Sequence, residues 1–151
     1  MGSSYHHSYT HFVFSTKYRQ PLILPKYEKR LWSYISGICK NNGYPVIAIG
    51  GVHDHLHILL GLSPTKSISK TIQEIKSNSS KWMNDTFFEK DRRFKWQKGY
   101  GSFFVCKSGI DRVTQYIHEQ KKHHKNMSFK REFIWFLDYY EINYEDKYLW
   151  D

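Results

Sequence analysis

Residues 9–16 alternate in character, with Thr10, Phe12 and Phe14 on one side and Tyr9, His11 and Val13 on the other, which predicts a strand. The basic, aromatic stretch Lys17-Tyr18-Arg19-Gln20-Pro21 ends it. Pro25 suits the first position of a helix. Tyr27, Leu31, Tyr34, Ile35 and Ile38 follow at helical spacing, and Gly43 stands where a C-terminal cap is expected. Residues 46–50 read as a short apolar strand, joined by a tight Gly-bearing turn to a second strand, so that the two make a hairpin. Ser63-Pro64-Thr65 is read as the start of another helix. Ile68, Ile72, Ile75, Ser79 and Trp82 share one face of it, and Lys66, Lys70, Lys76 and Lys81 surround its polar side. The glycines in Trp96-Gln97-Lys98-Gly99-Tyr100-Gly101 imply a bend or bulge between two short strands. Ser108-x-x-Asp111 is a variant of the capping box that opens a helix running to about residue 123. A short helix at 131–139 and irregular chain complete the tail. This order predicts an α+β fold, an antiparallel sheet with helices packed on it. It forms one domain over 1–151, with 129–151 as a tail packed on it.

The chain turns on residues 50–61. Leu56, Ile58 and Leu60 alternate with His55, His57 and Leu59, the pattern of a half-buried strand that lies centrally in the sheet. Alternate side chains share a face, so His55 and His57 project together about 7 Å apart, and two imidazoles at that spacing can share one metal ion. The same pattern also describes histidines on the solvated face of an amphipathic strand. The triplet alone does not choose between the two.

A second constellation lies in the last main helix. Tyr116 and Gln120 are four residues apart and so share a face, beside an apolar stripe of Val113 and Ile117. A tyrosine there ordinarily packs, and a glutamine there ordinarily meets water. Combined with the histidine strand, two imidazoles and an amide oxygen form a neutral, half-open ligand set suited to a divalent ion completed by phosphate and water. A tyrosine one turn away can supply an attacking oxygen.

Charge adds a partner. The net charge of the 151 residues is +9, which favours a polyanion, nucleic acid before membrane. Residues 129–151 hold six acids against three bases, so the basic surface belongs to the body of the chain. Cys39 and Cys106 are far apart and in no metal-ligand spacing, which is expected of a reducing compartment. No apolar run approaches the length of a membrane span, and residues 1–4 are taken as uninformative.

These residues resemble the small single-tyrosine HUH transposases of bacterial insertion sequences and their REP-associated relatives. The resemblance runs from Tyr5-His6-His7 through Asp54-His55-Leu56-His57 and Trp96-Gln97-x-Gly99-Tyr100-Gly101. It continues to Tyr116-Ile117-x-x-Gln120 with His123-His124 and to the tail Tyr144-Glu145-Asp146-x-Tyr148-Leu149. It implies a ferredoxin-like HUH fold that dimerises through its sheets. It also implies Mg²⁺ or Mn²⁺ on His55, His57 and Gln120, with Tyr116 as the nucleophile. The activity it implies is nicking and rejoining of single-stranded DNA, at hairpin-bearing element ends, through a 5′-phosphotyrosine. The location it implies is the bacterial cytoplasm, on the nucleoid when bound to DNA. Lys17, Tyr18, Arg19, Lys70, Lys76 and Lys81 are the candidate DNA contacts. One departure is His53, where the family usually has Pro. A ligand role for it would favour zinc and hydrolysis, and its place in the turn argues against that role. The rival outside enzymes is a non-catalytic or domesticated DNA-binding protein of the same fold.

Overall fold

The computed structural model describes residues 2–150, so the ends of the expected 1–151 domain, Met1 and Asp151, lie outside the described residues. β1 (Tyr9–Ser15), β2 (Val46–Val52), β3 (His55–Gly61) and β4 (Gly101–Phe104) form an antiparallel sheet in the order β2-β3-β1-β4. Helix α1 (Pro25–Asn41) connects β1 to β2, and α2 (Ile68–Phe87) connects β3 to β4. This is the β-α-β-β-α-β succession of a ferredoxin-like fold, as expected. Three further helices follow, α3 (Ile110–His118), α4 (Gln120–His123) and α5 (Phe129–Tyr139). β3 is interior, paired with β1 on one side and β2 on the other.

Helices cover both faces of the sheet. Phe12 and Phe14 of β1 and Leu56, Ile58 and Leu60 of β3 pack with Leu31 and Ile35 of α1 and Ile72 and Ile75 of α2. On the other face, Val13 packs with Phe103, Phe129, Phe133 and Phe136, while Leu59 meets Ala48, Val105 and Ile117. Every residue of β3 is therefore buried. The half-solvated strand that alternation suggests is replaced by one with water on neither face, because α3–α5 close over the histidines.

Local differences from the sequence pattern have physical causes. β2 runs through Gly50 and Gly51 to Val52, so the hairpin turn is His53-Asp54 and the glycines serve packing. A Cβ on Gly50 would stand 2.5 Å from the Ile117 carbonyl oxygen, so the bare backbone lets α3 sit directly on β2. Helix α2 begins after Ser67, whose side chain accepts from the Lys70 amide, and residues 63–66 form the approach. The Ser108-x-x-Asp111 capping box is not made. Lys107–Gly109 is a 3-10 turn, and α3 starts with no side-chain cap. The single long helix expected to about residue 123 breaks at Glu119 into α3 and α4. One strand, β4, follows the glycines. The expected strand before it is only a Thr16–Trp96 bridge. Helix α5 opens on Ser128, whose hydroxyl accepts from the Arg131 amide, close to the expected 131–139. The chain end docks on the body, where Arg19 Nη1 and Gln97 Nε2 donate to the carbonyls of Trp150 and Leu149.

Candidate active site

His55 and His57 turn to the face covered by α3–α5, with ring centroids 5.2 Å apart and no exposure to solvent. Gly50 lies opposite His57 in the β2–β3 register. The close approach of α3 at Gly50 carries Tyr116 to the same place, its ring 5.7 Å from that of His57 within one chain. Gln120, just past the break at Glu119, is buried with Oε1 3.0 Å from His55 Nε2. The nucleophile candidate and the three ligand candidates named by the sequence are thus brought together.

Three residues to which the sequence assigned no role in the site join them. Glu132 of α5 reaches His57 Nε2 at 2.8 Å through Oε1 and accepts a short hydrogen bond from the Tyr116 hydroxyl on Oε2. His124 Nε2 lies 3.1 Å from Glu132 Oε2 without making a directed hydrogen bond. His11 of β1 contacts His57 Nδ1 through Nε2 at 2.8 Å. Glu132 carried a legible signal. It falls within the apolar stripe of Phe129, Phe133 and Phe136, and a carboxylate buried on the apolar side of a helix is rare unless it is paired. His53 does not join, since it sits in the turn with 59% of its side chain exposed. The third imidazole is His124.

Electrostatics make Glu132 the hub. Burial alone would raise its carboxyl, but His57, His124 and His55 together hold it well below the usual carboxylate range. Burial first, and then Glu132, push the Tyr116 phenol upward, so the hydroxyl rests as a donor. Burial, reinforced by His57, keeps His11 well below the ordinary imidazole value. Burial also lowers His57 against the pull of Glu132. For His124 burial is outweighed, and Glu132 and the Met127 carbonyl raise it.

The donor set fits a divalent cation. His55 Nδ1 lies 2.7 Å from Asp54 Oδ1 and donates its proton there, leaving the Nε2 lone pair facing the Gln120 carbonyl oxygen. The Gln120 amide nitrogen is turned instead to the Tyr116 carbonyl, at 3.4 Å. His124 likewise donates Nδ1–H to the Met127 carbonyl at 2.6 Å and turns Nε2 to a carboxylate. Two ring nitrogens thus face oxygen acceptors, and a cation between them or a second proton on each ring reconciles the contacts. The ligand atoms of His55, His57, His124 and Glu132 all lie within 4.8 Å of one another. The Asp54–His55 contact is the outer-shell support usual for a metal-bound imidazole.

The candidate DNA contacts lie elsewhere. Lys17 and Lys76 line a cleft of about 610 Å³ with Arg93, Lys95 and Lys98, between α2 and the segment before β4. Lys76 Nζ donates to the carbonyls of Gln97, Lys98 and Gly99, and burial lowers it to about 8. Tyr18 is exposed, whereas Arg19 stacks on Trp150. Lys70 is exposed, and Lys81 pairs with Asp85 at 2.6 Å. Among the described residues no helix is long and apolar enough to cross a membrane.

Comparison with known proteins gives a consistent picture. The family described as "Transposase IS200 like" matches residues 4–120. The transposase of insertion sequence element IS200 from Salmonella typhimurium is 26% identical over 119 residues, which are 76% of this chain and 78% of that protein. The ISDra2 transposase TnpA of Deinococcus radiodurans is 24% identical over 114 residues, 73% of this chain and 81% of that one. Among solved structures, a D. radiodurans chain assigned as a transposase superposes with a TM-score of 0.63 at 24% identity, covering 80% of this chain and 96% of its own. A REP-associated tyrosine transposase bound to a REP hairpin gives 0.60 at 15% identity, covering 82% and 74%. These two share the fold.

Proposed function

Because the chain belongs to the IS200-like transposase family, we propose that it nicks and rejoins single-stranded DNA with Tyr116 as nucleophile and a divalent ion, Mg²⁺ or Mn²⁺, on His55, His57 and Gln120. The observation that carries this reading is the shared carboxylate. Within one chain, Glu132 holds the Tyr116 hydroxyl on one oxygen and a ligand imidazole, His57, on the other. A divalent ion bound there would supply Lewis-acid polarisation of a phosphate oxygen and would offset the Glu132 charge, which adds to burial in raising the phenol.

The residues divide the remaining work. Tyr116 Oη forms the bond to phosphorus as the bond to the departing 3′ oxygen breaks, leaving a 5′-phosphotyrosine, and the 3′ oxygen takes a proton from solvent to become a free 3′-hydroxyl. Glu132 Oε2 already accepts the hydroxyl hydrogen and so stands where the proton goes. Asp54 and His11 hold the rings of His55 and His57 through their Nδ1 atoms. The phosphodiester energy is kept in the tyrosine link, and a second 3′-hydroxyl can reverse the step without ATP.

The basic cleft around Lys17 and Lys76, with Tyr18, Arg19, Lys70 and Lys81 nearby, tracks DNA phosphates in this reading. The partner DNA is a hairpin-bearing end, by analogy with the REP hairpin held by the REP-associated structural relative. A homodimer belongs to the same reading and is checked by sedimentation equilibrium. The decisive test is incubation with labelled hairpin-bearing single-stranded DNA and Mn²⁺, followed by denaturing electrophoresis. Wild type gives a covalent adduct and Tyr116→Phe gives none. Binding without an adduct across such DNAs overturns catalysis and leaves the non-catalytic DNA-binding protein.

A further inference from the structure

A cleft of about 920 Å³ opens beside Tyr116 and His11, between β4, α3 and α5. Its walls include four large aromatic side chains left in water, Phe104 at 67% exposure, Trp135 at 55%, Tyr139 at 65% and Tyr140 at 41%. Trp135 and Tyr139 stand one turn apart on α5, ring planes 15° apart and centroids 5.1 Å apart, forming a platform. Lys107 and Arg112 add positive charge, and no acidic side chain lines the cleft among the described residues. A contiguous aromatic patch of this kind marks a binding surface. This one reaches the hydroxyl-bearing residue at its end. Trp135, Tyr139 and Tyr140 all lie beyond residue 120, outside the part of the chain that the family match covers.

From this arrangement we infer that the cleft is a base-stacking subsite for the unpaired nucleotides next to the scissile phosphate, with Trp135 and Tyr139 as the stacking platform and Arg112 on the backbone. The subsite rests on the reading of Tyr116 as nucleophile. Stacking suits this occupant because every base offers a π-face, and unpaired bases are free to splay onto it. The cations at the rim complement the phosphates between those bases. Trp135 and Tyr139 stand three and seven residues from Glu132 in α5, on the flank of the helix next to the one that presents Glu132, so a strand seated on the platform approaches Tyr116 from the chain's own tail.

The test is fluorescence anisotropy with a labelled oligo(dT) and an abasic oligonucleotide of equal length. Trp135→Ala and Tyr139→Ala are each expected to weaken oligo(dT) binding about 5- to 100-fold and to leave abasic binding unchanged. Trp135→Phe is expected to retain most of the affinity, and Arg112→Ala to weaken both probes. These side chains are exposed, and thermal melts verify folding. Cys106 lines the same cleft and is exposed, so oligo(dT) is also expected to slow its alkylation by iodoacetamide in the unsubstituted protein. Unchanged oligo(dT) affinity in both alanine variants, with Cys106 unprotected, overturns the subsite. So does a wild-type dimer that Trp135→Ala dissociates, since the cleft is then an interface between copies. If the wild-type adduct still forms in either case, the subsite fails and the proposed catalysis stands. If stacking is found but no adduct forms with any DNA, the cleft still binds unpaired bases and the catalysis fails.

Discussion

Leu56, Ile58 and Leu60 turn to one face of the sheet and His55 and His57 to the other, and all five side chains are fully buried. The two faces are equally dry and chemically opposite. Beneath α1 and α2 the packing is mainly aliphatic and aromatic, and apolar side chains of matching volume are tolerated best there. Beneath α3–α5 the apolar packing of Phe129, Phe133 and Phe136 surrounds a carboxylate that holds the His57 imidazole and the Tyr116 phenol, with His124 3.1 Å away. The first face stabilises by removing hydrocarbon from water. The second holds groups whose burial is tolerable only while every partner stays in place. Stability and chemistry are thus assigned to opposite sides of one strand.

The largest expected effect comes from breaking the polar face. His57→Ala removes a proposed ligand and leaves Glu132 short of a partner. Mn²⁺ binding measured by calorimetry should disappear, and urea denaturation should show a loss of about 3–5 kcal/mol. Ile58→Ala, one residue along, should cost about 2–5 kcal/mol through the cavity it leaves, while the folded protein keeps its Mn²⁺ affinity. If that substitution also abolishes metal binding, the two faces are not separable. Gly50→Ala should cost about 1–3 kcal/mol by overpacking against Ile117. Because it displaces α3, it should slow adduct formation while metal affinity holds, and equal effects on both would contradict the role given to that close approach. The smallest effect is expected far from the polar face. Ser67→Ala removes the α2 cap for about 1 kcal/mol with no change in adduct rate per folded molecule.

Much of the frame was legible in local pattern. Alternation located β1 and β3, Pro25 and Gly43 bounded α1 closely, and the 3.6-residue stripe found the buried side of α2. Local pattern failed where long-range packing decided. The residues of the Gly50-Gly51 pair look like a turn and are instead strand positions, cleared for α3 and for the His55 backbone. The Ser108-x-x-Asp111 motif went unused because a 3-10 turn occupies the helix start.

Spacing along the chain determined which residues share a face. His55 with His57 follows from a strand period of two, and Tyr116 with Gln120 from the helical turn, both properties of the backbone alone. Only the tertiary structure decided that these two faces oppose each other, that α5 seals them from water, and that Glu132 of the tail and His124 after α4 join them. The sequence separation between Glu132 and His57 bears no relation to their 2.8 Å contact, because that distance is set by how the helices close over the sheet.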